Sequence, residues 1–425
     1  MKPLLMHRDR DLDVEVELPP NDEDLRRDLE LGTILSAMAR GDEFLRDIAD
    51  RCLLVGLTDP EAVRYRQDAL RDCLEQPDVV RRLYDLAVEA VENRKRTIGF
   101  WIGDSPDARL HKSVAKLEVL ADVLKRLRVV ADDYAGAFRS EAFSTLFATL
   151  SRELDDEYLA RVDDHLNRLK FTNGVLVSAE LGPGNRGKNY VLRKTKERRL
   201  IERLTARTPR NYSFTIPARD EHGLQALSAL RDRGINLVAS ALGESTDHLL
   251  NFFRSLRAEL AFYVACLNLR EALLERGVNT CFPEPRPLET RSFTAHGLYD
   301  VSLAFHLRSR VMGNDVDAEG KELVMITGAN QGGKSTFSRS VGLAQLMLQA
   351  DMFVGADALR ASVCAGLFTH YKREEDETLE SGKLDEELAR MSTIADAIGH
   401  DCCCSATSPS PRRMSSRARK SPVRW

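Results

Sequence analysis

The sequence predicts a multidomain protein. A mainly α-helical region carries a small β insert, and an α/β domain built on a phosphate-binding loop follows it. Three observations predict this. Apolar residues recur at helical spacing through the first third of the chain, and no proline stands between Pro106 and Pro183. Short apolar runs then surround the turn sequence Gly182-Pro183-Gly184-Asn185. Further on, Gly328-Ala329-Asn330-Gln331-Gly332-Gly333-Lys334-Ser335-Thr336 fits the pattern G-x-x-x-x-G-K-[ST].

A chain of 425 residues holds two or three domains. Its 43% hydrophobic and 30% charged residues are those of a soluble globular protein. No apolar stretch is long enough to span a membrane, and the start Met-Lys-Pro shows no secretory signal, so a cytoplasmic location is expected. Cys52, Cys73, Cys266, Cys281 and Cys364 have no metal-ligand spacing and read as small core residues in a reducing compartment. The net charge is only −4, so any nucleic-acid contact must come from a local basic patch.

Residues 1–24, charged and acidic with Pro19-Pro20, read as a loose lead-in. A helical core is expected over 25–170. Asp59-Pro60 gives an N-cap followed by proline at the first helical position, and Pro77-Asp78 opens another helix. Leu117, Leu120, Leu124 and Leu127 form one apolar stripe, and Leu159, Val162, Leu166 and Leu169 form another. A small, basic β insert is expected over 171–216, with strands at 174–178, 190–192 and 211–216. Its basic residues run from Arg186 through Arg193, Lys194, Lys196, Arg198 and Arg199 to Arg210, opposed only by Glu197 and Glu202. Long helices return over 217–284, with interruptions expected near the glycines Gly234 and Gly243.

The nucleotide-binding domain is expected over 285–398. Leu323-Val324-Met325-Ile326-Thr327 reads as a buried strand, and Ser335 to Gln349 as the helix after the loop. Glycines let backbone N–H groups turn inward and line an anion nest, and the helix N-terminus adds partial positive charge. Gly328, Asn330, Gly332, Gly333, Lys334, Ser335 and Thr336 are the candidate ATP-binding residues. Lys334 would reach the β- and γ-phosphates, and the Ser335 hydroxyl would ligate Mg²⁺. A plain Gly-rich turn, by contrast, needs neither the lysine nor the hydroxyl.

The loop Thr327 to Phe337 resembles the T-G-P-N-M-G-G-K-S-T-aromatic loop of the DNA mismatch repair ATPase MutS, with Ala329 and Gln331 in place of Pro and Met. The resemblance continues through Arg339, Val341-Gly342-Leu343 and Ala350 to Ala356, the last similar to the family's A-x-x-G-x-F-V-P-A stretch. Ser381-Gly382-Lys383-Leu384-Asp385-Glu386-Glu387-Leu388 resembles its S-T-F-x-x-E-[ML] signature. The other reading of that stretch is a charged helix start with Ser381 at the N-cap. The resemblance implies an ABC-type ATPase using ATP and Mg²⁺, a homodimer through the ATPase domains, and Ser381 facing the partner's γ-phosphate. It also implies a nucleoid-associated protein whose lever helices carry a clamp over DNA. Arg193, Lys194, Lys196, Arg198 and Arg199 are then the DNA-contact candidates, against the alternative of a solvated face. MutS proteins that read mispairs carry an N-terminal Phe-x-Glu motif. Phe282-Pro283-Glu284 is the one candidate here, and it sits rigidified by prolines at the entry to the ATPase domain. A short form without the mismatch-reading domain is therefore expected, its target a duplex, a junction or another structure.

In an ABC-type ATPase a second strand ends in Asp-Glu, where Asp orients Mg²⁺ and Glu polarises the attacking water. The sequence reads Asp401-Cys402-Cys403-Cys404-Ser405-Ala406 at that place, followed by Ser, Arg, Lys and Pro up to Trp425. No catalytic carboxylate is identifiable. Cysteine codons are TGT or TGC, and in the neighbouring frame Cys402 to Cys404 become three leucines. Residues 399–425 accordingly read as a disordered, out-of-frame tail, or else as a natural Ser/Arg-rich one, and the α/β domain as incomplete. The expected activity is ATP binding and hydrolysis coupled to a clamp on DNA, as in DNA repair. The alternative is a non-hydrolysing nucleotide-binding scaffold, or the inert product of a damaged gene.

Overall fold

A computed structural model describes residues 1–97, 105–172, 174–193, 215–217, 219–307, 311–328, 332–371, 383–399 and 402–406. The first half is built from α1 (Asp22–Asp28), α2 (Leu31–Ala39), α3 (Glu43–Leu54), α4 (Pro60–Glu75), α5 (Pro77–Thr97), α6 (Pro106–Tyr134), α7 (Glu141–Glu153) and α8 (Asp156–Leu169). Strands β1 (Val177–Leu181) and β2 (Gly187–Leu192) lead to α9 (Glu221–Leu274). Then come β3 (Glu284–Arg286), β4 (Phe293–Leu298), α10 (Val301–His306), β5 (Asn314–Asp317), α11 (Lys334–Gln349), β6 (Ala358–Ser362), β7 (Gly366–His370), α12 (Lys383–Ala397) and β8 (Cys402–Ala406). Among the described residues no helix is long and apolar enough to cross a membrane.

The described residues group into two compact units that are not contiguous in sequence. One takes Met1–Tyr84, Asp133–Ala148 and Ser255–Trp425, the other Asp85–Asp132 and Thr149–Arg254. Helices α5, α6, α7 and α9 carry residues of both, which is why the helical core expected as one block over 25–170 is divided.

In the first unit, Asp59 caps α4 as the sequence predicts, its carboxylate accepting from Glu61 N at 3.1 Å and Ala62 N at 3.3 Å. Phe138, Phe143, Phe147 and Tyr263 form an aromatic cluster, with Phe138 and Phe143 centroids 4.7 Å apart and Phe143 and Tyr263 6.3 Å apart. The lead-in is not loose. Leu5 and Met6 are fully buried, and buried side chains tie their backbone down. Glu259 accepts from Leu5 N at 2.6 Å and Leu12 N at 3.0 Å, Tyr263 donates to Leu5 O at 2.7 Å, and Arg66 donates to Met6 O at 2.6 Å. Arg66 also pairs with the fully buried Asp351 at 2.8 Å.

Among the described residues this unit holds two sheets. The four-stranded one has the order β3-β6-β4-β5, with β3 parallel to β6 and β4 antiparallel to both neighbours. The other pairs β7 with β8 in parallel, from Gly366↔Cys402 to His370↔Ala406. Phe368, Ile394 and Cys404 pack together and join α12 to that pair. The disorder expected over 399–425 therefore does not hold at Cys402–Ala406, which form a strand with Cys404 and Ser405 buried; 407–425 lie outside the described residues. A second correction concerns Leu323 to Thr327, which form no strand. Leu323 is 51% and Met325 77% exposed. An apolar run becomes a buried strand only with a neighbouring strand to pair with and a layer to cover it, and among the described residues this one has neither.

In the second unit, Leu110, Val114, Leu117, Ala121, Leu166, Ile235 and Ala239 form the core, with Val162 and Leu169 packed against it. The β insert is a hairpin, β1 against β2, closed by a turn in which Gly184 takes φ 66°. Its strands start or extend three residues beyond those expected, from 177 and from 187. Residues 215–216 are not a strand, and 211–214 lie outside the described residues. Helix α9 runs through Gly234 and Gly243 without interruption. Gly234 marks a close approach instead: a methyl there would lie 2.6 Å from Val177 Cγ2.

Candidate nucleotide site

The loop expected to hold phosphates ends where α11 begins. Gly333 stands at the N-cap with φ 78°, a left-handed conformation that suits glycine, and among the described residues no side chain caps the helix. Among the described residues a methyl at Gly333 would meet nothing within 4 Å. Lys334 Nζ turns back and donates to Gly328 O at 3.0 Å, closing the loop over itself. Ser335 is exposed and Thr336 half-buried, and Gly332 is exposed. Asn330 lies outside the described residues. The helix expected over 335–349 is present; the strand expected before the loop is not.

The arrangement fits an anion. Uncapped backbone donors at a helix start, a lysine within reach of them and a hydroxyl on the next residue are what a nucleotide phosphate with its Mg²⁺ requires. An arginine and a serine fix α11 and its surroundings. Arg339, five residues after Lys334, pairs with Glu30 and with Asp300, which is itself buried and caps α10 by accepting from Leu303 N at 3.1 Å. Ser405 on β8 shares a hydrogen bond with Tyr371 Oη at 3.0 Å and donates to Ser338 O at 3.4 Å. At the end of β7, Thr369 Oγ1 and His370 Nε2 are buried without a hydrogen-bond partner among the described residues. Sequence reasoning missed Thr369, His370, Tyr371 and Ser405. The available signal was the polar Thr-His-Tyr ending on the apolar run Gly366-Leu367-Phe368.

The other candidates are placed as follows. Ser381 lies outside the described residues; Lys383 to Leu388 behind it begin α12. Among the DNA-contact candidates only Arg193 is described. It is exposed, leaves the hairpin through Arg193 N to Leu176 O at 2.8 Å, and donates from Nε to Ser178 Oγ at 2.8 Å. Lys194, Lys196, Arg198 and Arg199 lie outside the described residues. On β2, Lys188 is 3.8 Å from Glu180, so part of the hairpin's charge is offset locally. Strand β8 carries no carboxylate, so no water-activating group is brought to Lys334 from that strand.

Residues 58–276 match the family model of the MutS2 N-terminal domain, just over half of the chain, and residues 324–403 match that of MutS domain V. The chain is similar to DNA mismatch repair protein MutS of Synechococcus elongatus, 25% identical over 448 residues, covering 89% of this chain and 48% of that protein. It is 28% identical over 182 residues to that of Microcystis aeruginosa, covering 39% and 20%. It is 36% identical over 129 residues to that of Clostridium kluyveri, covering 30% and 14%. The chain thus spans about half or less of the length of these relatives.

Proposed function

The chain belongs to the MutS family, and from that premise we propose that it is an ATP- and DNA-binding protein of the DNA repair type. The observation that carries the reading is the start of α11. Gly333 and an uncapped first turn leave backbone donors beside Lys334 and Ser335, in the order a triphosphate needs. Gly328, Asn330, Gly332, Gly333 and Thr336 line the phosphates, Lys334 neutralises them, and the Ser335 hydroxyl is the protein's ligand to Mg²⁺. The bound ion screens phosphate charge; the chain's own part is to hold the phosphates in line and keep the loop closed. The hairpin and the basic residues Arg193 to Arg199 contact DNA phosphates without reading bases. A homodimer through the ATPase units brings Ser381 to the partner's nucleotide. Calorimetric titration with ATP, with and without Mg²⁺, tests the site: Ser335→Ala removes the Mg²⁺ dependence while ATP still binds, and equal Mg²⁺ dependence in both proteins contradicts the assignment.

One observation favours a second reading for this chain. Strand β8 reads Cys-Cys-Cys-Ser-Ala where the family carries Asp-Glu. A loop that positions phosphate supplies little rate without a carboxylate to orient water. The second reading is therefore a nucleotide-binding protein that does not hydrolyse.

A further inference from the structure

Two sets of ion pairs meet where α1 turns into α2. From α11, Arg339 reaches Glu30 and Asp300, its side chain only 16% exposed. From α12, Arg390 Nη2 lies 2.9 Å from Asp24 Oδ1 and 3.1 Å from Asp28 Oδ2, its side chain 11% exposed. Asp28 Oδ2 also accepts from Tyr371 N at 3.2 Å, one residue beyond β7. Asn21 Nδ2 donates to Leu367 O within β7 at 2.8 Å. Leu29 lies so close to α11 that a methyl at Gly342 would be 2.8 Å from its Cδ2. The turn is tight: only Leu29 and Glu30 separate the helices, and Glu30 is left-handed at φ 51°. A non-glycine residue in that conformation persists because the contacts around it hold it there.

We propose that this corner couples the candidate phosphate loop to α12, with Arg339 and Arg390 as positioning residues for the nucleotide. Neither touches phosphate. Arg339 sets the start of α11 against Glu30, and Arg390 sets α12, which follows Ser381, against Asp24 and Asp28. A ligand that favours one placement of α11 then favours one placement of α12 through the same few residues. The pairs to Asp300 and Asp28 are sheltered, with those side chains 0% and 4% exposed, whereas Glu30 is 40% and Asp24 26% exposed, so the buried pairs hold the corner more firmly than the solvent-screened ones. The inference rests on the reading of Gly328 to Thr336 as an ATP site.

A double-mutant cycle tests it. ATP affinity is measured for the parent, Arg339→Gln, Arg390→Gln and the double variant, with Arg390→Lys as the conservative control. Coupling predicts that each single change weakens ATP binding and that Arg390→Lys recovers part of the loss. It also predicts that the double variant departs from the product of the singles by about threefold or more. Parent-like affinity in Arg390→Gln, or effects that simply multiply, overturns the proposal. A second measurement needs no nucleotide. Amide exchange over residues 383–397 should quicken in Glu30→Gln and Arg339→Gln, although neither residue lies on α12. Unchanged exchange there overturns the coupling. If the parent binds no ATP but α12 still responds, the nucleotide reading falls and the mechanical link between the helices stands.

Discussion

Glu259 shows how much one side chain can organise. It lies wholly buried on α9 and accepts the backbone N–H groups of Leu5 and Leu12, so the N-terminal segment has a fixed seat. Burial pushes its carboxyl up to about 7, against the pull of those N–H groups. His7, beside the Arg66 guanidinium, is pushed the other way, down to about 4, by burial first and by Arg66 next. The signs follow from linkage. A raised carboxyl favours the fold at low pH, and that contribution is lost between about 4.5 and 7; a lowered histidine favours the fold above about 6.5 and loses it as pH falls toward 4. Glu259→Gln removes only the first. Its melting temperature relative to the parent should therefore be higher at pH 8 than at pH 5, and a constant difference would contradict the assignment. None of this was legible in the sequence: a charged, proline-bearing start reads as loose, and the partners that bury Leu5 and Met6 stand about 60 and 250 positions away.

Helices were legible, strands only in part: the hairpin stands where the sequence placed it, shifted by three residues, and the run 323–327 forms none. Asp59-Pro60 announces α4 because capping is local chemistry, and the leucines of α6 announce its buried face because helical spacing survives any tertiary context. Gly234 misled, since a glycine that breaks a helix and one that admits a neighbour look alike in sequence. The structure separates them and gives a test. Alanine gains about 0.5–1 kcal/mol over glycine inside a helix, yet Gly234→Ala sets a methyl against Val177. The variant should destabilise, and adding Val177→Ala should restore stability to at least the parent's. A Gly234→Ala protein more stable than the parent would show that the approach is not tight. The run 323–327 misled for the opposite reason: its apolar sequence is a strand's, but a strand exists only through its partners. The helix after the loop was legible, because Ser335 to Gln349 is rich in apolar residues and free of proline. Thr369, His370, Tyr371 and Ser405 were not, because only the pairing of β7 with β8 brings them to α11.

At the scale of the molecule the account has an electrostatic and a catalytic consequence. Replacing Arg193, Lys194, Arg198 and Arg199 with Ala should weaken DNA binding uniformly across sequences. It should also flatten log affinity against log salt by up to about one unit per lost phosphate contact; an unchanged slope leaves that stretch as a solvated face. The chain should turn ATP over negligibly, since β8 brings no carboxylate to the loop. A gene with the neighbouring frame restored after Ile398 should hydrolyse ATP, and equal, robust rates in both proteins would contradict the out-of-frame reading of the tail. Both consequences presuppose that Gly328 to Thr336 hold a triphosphate. The direct measurement is calorimetric titration of ATP and ADP into the parent and Lys334→Ala. Lys334 donates to Gly328 O at 3.0 Å, and circular dichroism of the variant checks that its fold is kept. The account predicts that the variant loses affinity for ATP and loses less for ADP. Equal ATP affinity in variant and parent would contradict it.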